Sequence, residues 1–280
     1  MMILLALLLS VSLSQEPAPA VRAQLDSGNY KGAQSALTAA LKNSPNDASL
    51  HYWLGRTDYE LRNYDDAVSQ IELAVRLTPE NAEYNRWLGR AYGAKAEESH
   101  SFFLARKVKQ AFEIAVKLAP GNIAARQDLM QYCVEAPWIV GGDKDKAKQQ
   151  IAAIAAIDPI EGKLARAAYL TTEKQWKAAE AEYTAMLDQH PTRIDPYMKT
   201  IEFFADRKDG SNLGRAVKAA SSVDSLDPRL GFYRGVVLIL KGTDAPTAQK
   251  LLNTYISSVP EKSDYPSHKS ATDWMARLGN

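Results

Sequence analysis

The chain has 280 residues but a single cysteine, four histidines and no surplus of either charge. Cys133 has no partner for an intrachain disulfide, so the fold must rest on its core, and a chain of this length can bury one. His51, His100, His190 and His268 stand far apart, without the ligand spacing that zinc requires. Lys+Arg 34 against Asp+Glu 33 gives a formal net charge of +1, which argues against a nucleic-acid partner. There is no phosphate-cradling glycine loop, nucleophile elbow or paired-acid motif. Asp143-Lys144-Asp145-Lys146 lacks the remaining ligands of a calcium loop and reads as a helix start. No metal, cofactor or enzymatic activity is therefore expected. Cys133, between Tyr132 and Val134, reads as a buried, inert thiol.

Long apolar runs are also missing, except at the very start. Residues 1–11 read MMILLALLLSV, and no charge appears before Glu16. That run is too short to cross a bilayer comfortably but suits the apolar core of a secretory signal peptide. Ser12-Leu13-Ser14 places small residues where a signal peptidase reads, so residues 1–14 are expected to be removed before Gln15. No Lys or Arg precedes the run, and no Cys follows it to carry a lipid. The expectation is a bacterial protein, periplasmic or secreted. The alternative is an N-terminal membrane anchor that stays uncleaved, and that segment offers the only membrane contact expected.

What the chain does have is an internal repeat. Trp53-Leu54-Gly55-Arg56 recurs 34 residues later as Trp87-Leu88-Gly89-Arg90. Pro45, Pro79, Pro120, Pro159, Pro191, Pro228 and Pro260 form a ladder with gaps of 34, 41, 39, 32, 37 and 32. Twelve residues before each proline stand Ala33, Ala67, Val108, Ala147, Ala179, Ala216 and Ala248. Eight before come Leu37, Ile71, Phe112, Ile151, Tyr183, Ala220 and Leu252; five before come Ala40, Ala74, Ala115, Ile154, Met186, Val223 and Tyr255. Offsets that differ by four and three share one helix face. The small residue marks the closest approach of two helices, the larger ones fill the space beyond it, and each proline is expected to stop its helix. Turns precede the alanines at Ser27-Gly28-Asn29, Arg62-Asn63, Gly141-Gly142-Asp143, Lys174-Gln175 and Gly242-Thr243-Asp244. Gly and Asn should supply the left-handed residue there, and Asp65, Asp143 and Asp244 the caps of the next helix.

This register resembles the tetratricopeptide repeat family. Leu54, Gly55, Ala67, Ile71, Ala74 and Pro79 carry the match in one repeat; Leu88, Gly89, Tyr92, Phe112, Ala115 and Pro120 carry it in the next. His51 and Asn85 stand where the family has tryptophan, whereas Trp53 and Trp87 fall two residues later. The resemblance implies an all-α, right-handed superhelical solenoid over residues 20–280. It would hold about seven helical hairpins, ending near 45, 79, 120, 159, 191, 228 and 260. Residues 267–280 read as a capping helix for the last apolar face.

Two repeats are longer than the rest. Seven extra residues between Tyr92 and Ala115, about two helical turns, suggest a protruding hairpin with its tip near Glu97–Ser101. Phe102 and Phe103 follow that tip. The expectation is that one packs in the hairpin and the other on a neighbouring repeat; the alternative is a docking knob. Five extra residues at Glu135–Gly142 place Trp138-Ile139-Val140 in a loop that either plugs a gap or contacts a ligand. The Gly-Gly turn there resembles exported tetratricopeptide proteins such as the T components associated with TRAP transporters.

By the same resemblance, the first helices of successive hairpins line a concave groove that takes peptides or helices. The matching positions are Tyr52, Arg56, Tyr59 and Glu60, then Arg86 and Arg90, Gln127 and Gln131, and Arg166. Arginine forks suit carboxylates, and tyrosine offers flat contact area. Two readings follow. These arginines receive an acidic segment of a partner, or they pair with neighbouring glutamates such as Glu60 and Glu83. The expected function is a non-enzymatic scaffold or adaptor that binds a protein or peptide. The alternative is a periplasmic small-ligand or transporter-accessory protein using the interior around Trp138 and Tyr132.

Overall fold

A computed structural model describes residues 16–262 and 264–279, so residues 1–14, where a signal peptide is expected, lie outside the described residues. Among the described residues all regular elements are helical. The chain divides into two compact units, Met1–Pro120 and Gly121–Asn280.

The first unit contains α1 (Pro19–Asp26), α2 (Tyr30–Asn43), α3 (Ala48–Glu60), α4 (Tyr64–Leu77), α5 (Ala82–Ser99) and α6 (Phe102–Leu118). The second contains α7 (Ile123–Glu135), α8 (Lys144–Ile157), α9 (Pro159–Thr172), α10 (Trp176–Leu187), α11 (Asp195–Asp206), α12 (Gly210–Val223), α13 (Arg229–Lys241), α14 (Ala245–Ser258) and α15 (His268–Met275). A 3-10 turn at Trp138–Val140 joins α7 to α8, and another follows α15. Each odd-numbered helix through α13 packs on the even-numbered helix that follows it, giving seven hairpins, and α15 packs on α14. The all-α hairpin-repeat architecture implied by the sequence is what the chain adopts.

The alanine column explains the packing. Ala33, Ala67, Ala147, Ala179, Ala216 and Ala248 are wholly buried. Gly55 and Gly89 supply the other side of the close approach: a Cβ would meet Ile71 Cγ1 at 2.5 Å in one and Phe112 Cε1 at 2.5 Å in the other. The larger column residues Leu37, Ile71, Phe112, Tyr183 and Leu252 are buried as expected.

Hairpin turns share one hydrogen-bond scheme. The amide of the residue after the turn donates to the carbonyl five residues back: Asn29 to Gln24 (2.8 Å), Asn63 to Asp58 (2.8 Å), Gln175 to Leu170 (2.8 Å) and Asp209 to Phe204 (2.9 Å). This closure needs a left-handed residue. Gly28, Gly141 and Gly242 provide it, but so do Arg62 (φ 61°), Lys174 (φ 58°) and Lys208 (φ 55°), against the expectation of Gly or Asn alone. Asn63 itself has φ −82°. Asp143 and Asp244 cap their helices through the amides of Lys146 and Thr247. Asp65 does not cap; it lies inside the first turn of α4 and pairs with Lys95 at 2.8 Å.

The proline ladder changes role along the chain. Pro45, Pro79 and Pro120 follow the ends of α2, α4 and α6, and the residue two beyond each caps the next helix: Asp47, Asn81 and Asn122. Pro159 instead opens α9, capped by Asp158 through the amides of Ile160 and Glu161, and Pro228 is the N-cap residue of α13. Proline's fixed φ and missing N–H suit a helix start as well as a stop. Counting from Pro228 therefore misplaces α12: Val223, expected on the inner face, is exposed, while Leu213, Ala216, Val217 and Ala220 form the buried set.

The hairpin of α5 and α6 turns at His100 (φ 52°), with Ser101 as N-cap. Phe102 and Phe103 are 68% and 69% exposed, so neither packs as expected. At Trp138–Val140 the two expectations divide between residues. Val140 is buried, and its carbonyl accepts from the Tyr132 hydroxyl at 2.7 Å; Trp138 is 84% exposed. At the C-terminal end, Ala271 of α15 is buried, the His268 ring bonds the Val259 carbonyl (2.8 Å), and the Tyr255 hydroxyl donates to the Pro266 carbonyl (2.7 Å).

Candidate functional site

In the first unit the Trp-Leu-Gly-Arg repeat builds a stack. The Arg56 guanidinium lies 4.7 Å from the Trp53 ring centre and 4.2 Å from that of Trp87. Arg90 lies 5.1 Å from Trp87 on the next turn, and Tyr59 meets Trp87 edge-on at 5.6 Å. The off-column tryptophans thus serve as plates for the arginines that follow them by three residues. Tyr52 is 1% exposed, which takes it out of any contact surface. Its ring stacks on Tyr84 at 4.7 Å, and burial pushes its hydroxyl well above the ordinary tyrosine range. Arg86 donates to Glu83 Oε1 (3.1 Å), which also accepts from Trp87 Nε1 (2.9 Å). The pairing of arginine with a neighbouring glutamate is the reading that holds for Arg86.

At the family's tryptophan column, His51 and Asn85 are buried and hold the preceding repeat. His51 Nε2 lies 2.9 Å from the Pro45 carbonyl and Nδ1 lies 2.7 Å from Gln70 Oε1. Asn85 Nδ2 donates to the Pro79 carbonyl at 3.0 Å. Two polar side chains six residues after a proline therefore do the same work. Cys133 is buried.

The second unit carries a trough on its odd-numbered helices. One hollow of about 610 Å³ lies among Gln127 and Gln131 of α7, Leu164, Ala165 and Ala168 of α9, and Glu202, Phe203 and Asp206 of α11, with Trp176 and Tyr183 from α10. A second hollow, of about 750 Å³, runs from Gln127 and Lys199 past Glu161 and Glu202 to Arg229, Tyr233 and Tyr265. Gln127, Lys199 and Glu202 border both, so the hollows adjoin.

Most cations of the trough are committed. Lys199 Nζ reaches Glu161 Oε2 at 3.1 Å, Arg193 reaches Asp158 (2.8 Å) and Glu161 (3.3 Å), and Gln127 Nε2 donates to Glu161 Oε2 at 2.9 Å. Arg229 binds Asp227 at 2.6 Å, holding that carboxyl below its usual value despite burial, and Arg207 stacks 4.6 Å from the Trp176 ring. Glu202 and Asp206 differ. Among the described residues neither has a hydrogen bond or ion pair. Crowding raises the Glu202 carboxyl above its ordinary value; Arg229 and Lys199 pull it down, but Asp206 and Asp264 push the same way as the crowding. Asp206 is raised by burial as well. Both remain open to water through the mouth of the hollow.

Of the residues expected at a groove, the structure brings Gln127 and Gln131 together in the second unit, and Arg56, Tyr59 and Arg90 around Trp87 in the first. Arg166 does not join them. It pairs with Glu182 at 3.1 Å and borders a separate hollow of about 830 Å³ on α8, α9 and α10. The cause is the early start of α9 at Pro159. Arg56 precedes Ala67, the fourth residue of α4, by eleven; Ala168 stands in that relation to Ala179, the fourth residue of α10. Arg166 is two positions off, about 200° around the helix. The same count from Leu213, the fourth residue of α12, reaches Glu202. Counting back from the second helix of each hairpin would have found Ala168 and Glu202, which the proline register missed. Trp138 and Tyr132 line none of these three hollows. Among the described residues no cluster of three or more His, Cys, Asp or Glu could hold a metal, and no helix is long and apolar enough to cross a membrane.

The tetratricopeptide repeat family model matches residues 24–90. A tetratricopeptide repeat protein from Parabacteroides merdae superposes with a TM-score of 0.57 at 12% identity, covering 93% of this chain and 96% of that one. A thermophilic tetratricopeptide protein of Thermus thermophilus gives 0.54 at 21% identity, over 69% and 99%. The human IFIT1 dimer with PPP-AAAA gives 0.54 at 16% identity, over 86% and 53%. Comparison with curated protein sequences finds no match. The chain as a whole has the tetratricopeptide repeat fold, and its residues 24–90 match that family. That fold is in general a non-enzymatic scaffold for protein interactions.

Proposed function

We propose that this chain is a non-enzymatic scaffold that holds a segment of a partner protein in the trough of α7, α9, α11 and α13. The observation that carries this reading is the pair of adjoining hollows, which together offer an elongated, water-open channel rather than a closed chamber. Its walls combine aromatic faces, amides and charges, the mixture that reads an extended or helical segment. A small-ligand site around Trp138 and Tyr132 has less support, because Tyr132 is engaged with Val140 and Trp138 stands out in solvent. A nucleic-acid ligand is opposed by Glu202 and Asp206, which would face its phosphates.

Filling the trough tests the reading. Ala168→Trp, on the half-buried floor of the first hollow, should abolish recovery of the partner from an envelope extract while helical circular dichroism stays unchanged. Unimpaired recovery would overturn the trough as the binding face.

A second reading concerns an acidic segment at the first unit. Its support is the stack that holds the Arg56 and Arg90 guanidiniums on one indole. Arg56→Gln with Arg90→Gln should then lose a partner that Ala168→Trp retains. The site of action is the cell envelope, reached through the apolar residues 1–14; N-terminal sequencing of the exported protein should begin at Gln15. A chain that still starts at Met1 would indicate the uncleaved anchor instead.

A further inference from the structure

We infer that the first hollow of the trough receives a cationic side chain, lysine or arginine, from the bound segment, with its head between Glu202 and Asp206. The inference rests on the scaffold reading above and names the chemistry of its partner. Glu202 and Asp206 lie four residues apart on α11, so both carboxylates project from one face of that helix. Partial burial raises both carboxyls above their ordinary values, and Asp206 adds to the rise at Glu202, while both stay open to water at the mouth of the hollow.

Arg229 and Lys199 ease the Glu202 carboxyl from a distance, but among the described residues no cation pairs with either carboxylate. Lys199 is drawn to Glu161, Arg229 to Asp227, and Arg193 to Asp158 and Glu161; Arg207 lies over Trp176. The floor beneath the two carboxylates is apolar, made by Leu164, Ala165, Ala168 and Phe203. A long aliphatic stem lies well on such a floor while its charged end stays at the rim. An acidic or purely apolar side chain would leave the carboxylates without a partner, and a neutral hydroxyl or amide would donate a hydrogen bond without balancing their charge. The contrast with the first unit is direct: the helix position that holds Arg56 there holds Glu202 here.

Selection with the full chain tests this. A display library of short random linear peptides is panned against the wild-type protein, and the enriched peptides are synthesised and measured by calorimetry. The inference expects a Lys or Arg at one shared position. Replacing it with norleucine should weaken binding by roughly tenfold or more, as should Glu202→Gln with Asp206→Asn in the protein. The amides keep the shape of the hollow, and a thermal melt at neutral pH should show the double variant at least as stable as the wild type. The norleucine peptide carries the test should the variant misfold.

Enriched peptides without a shared cation, or ones that bind the double amide variant unchanged, would overturn this inference and leave the scaffold reading standing. Peptides that bind Ala168→Trp as well as wild type, or no enrichment at all, would overturn the trough and this inference with it.

Discussion

Asp58 on α3 is 2% exposed and accepts a hydrogen bond from Gln34 Nε2 at 2.6 Å. Burial outweighs that bond and raises its carboxyl from 3.8 to about 6, with Asp66 adding to the rise. The folded chain therefore holds this proton up to higher pH than the unfolded chain does. Stability should increase as pH falls from about 6 towards 4, and the deficit is complete above that window. Asp58→Asn keeps an acceptor for Gln34 without the charge. It should stabilise the protein by about 1–3 kcal/mol at neutral pH and by little near pH 4. Urea denaturation at the two pH values checks this, and equal gains at both would refute the account. Gly162 is a steric counterpart: a Cβ there would meet Ala155 Cα at 2.5 Å and Cβ at 2.4 Å. Gly162→Ala should force α8 and α9 apart and cost about 1–3 kcal/mol in the same assay. Neither residue stands out in the sequence, because nothing local to Asp58 or Gly162 names the side chain that crowds it.

Elements behaved as far as their local signals reached. The alanine and large-residue columns placed the inner faces of α2, α4, α6, α10 and α14, since burial against a partner helix needs small and large residues at 3.6-residue spacing. Helix starts were harder to read. Asp47, Asn81 and Asn122 cap two residues after a proline, whereas Asp158 and Asp227 accept amides from immediately before one. A proline that opens a helix and a proline that closes one look alike in sequence, and the displaced register put Arg166 on the wrong side of α9. The α5–α6 tip is another case. Phe102 and Phe103 remain exposed because they begin α6, before that helix reaches its packed section at Val108. The double change to Ser should alter stability by less than about 0.5 kcal/mol in urea denaturation. A large loss of stability would mean that these rings pack after all.

At the scale of the molecule, each unit relies on hairpins that cover one another, so the last hairpin needs a lid. In the second unit α15 supplies it, burying Ala271 in a core that includes Tyr255 and Val259, with Trp274 and Met275 packed alongside. Ending the chain after Lys262 should uncover that face and destabilise the second unit by about 2–4 kcal/mol, read as an earlier calorimetric transition. An unchanged thermogram would show that α13 and α14 need no cover.

Fold class was legible from residues alone: a hairpin repeat is specified by local periodicity and small-residue contacts that recur at fixed intervals. Which side chains share a trough was not. Glu202 and Asp206 meet Gln131 of α7 and Ala168 of α9 across the first hollow, and neither carboxylate has an ion pair because Lys199 and Arg229 pair with other carboxylates. Such choices depend on distances between helices far apart in the chain. The Trp-Leu-Gly-Arg repeat shows both sides of this division. Its leucine and glycine announced the hairpin, but only the packed helices set two guanidiniums against one indole and gave the arginines their place.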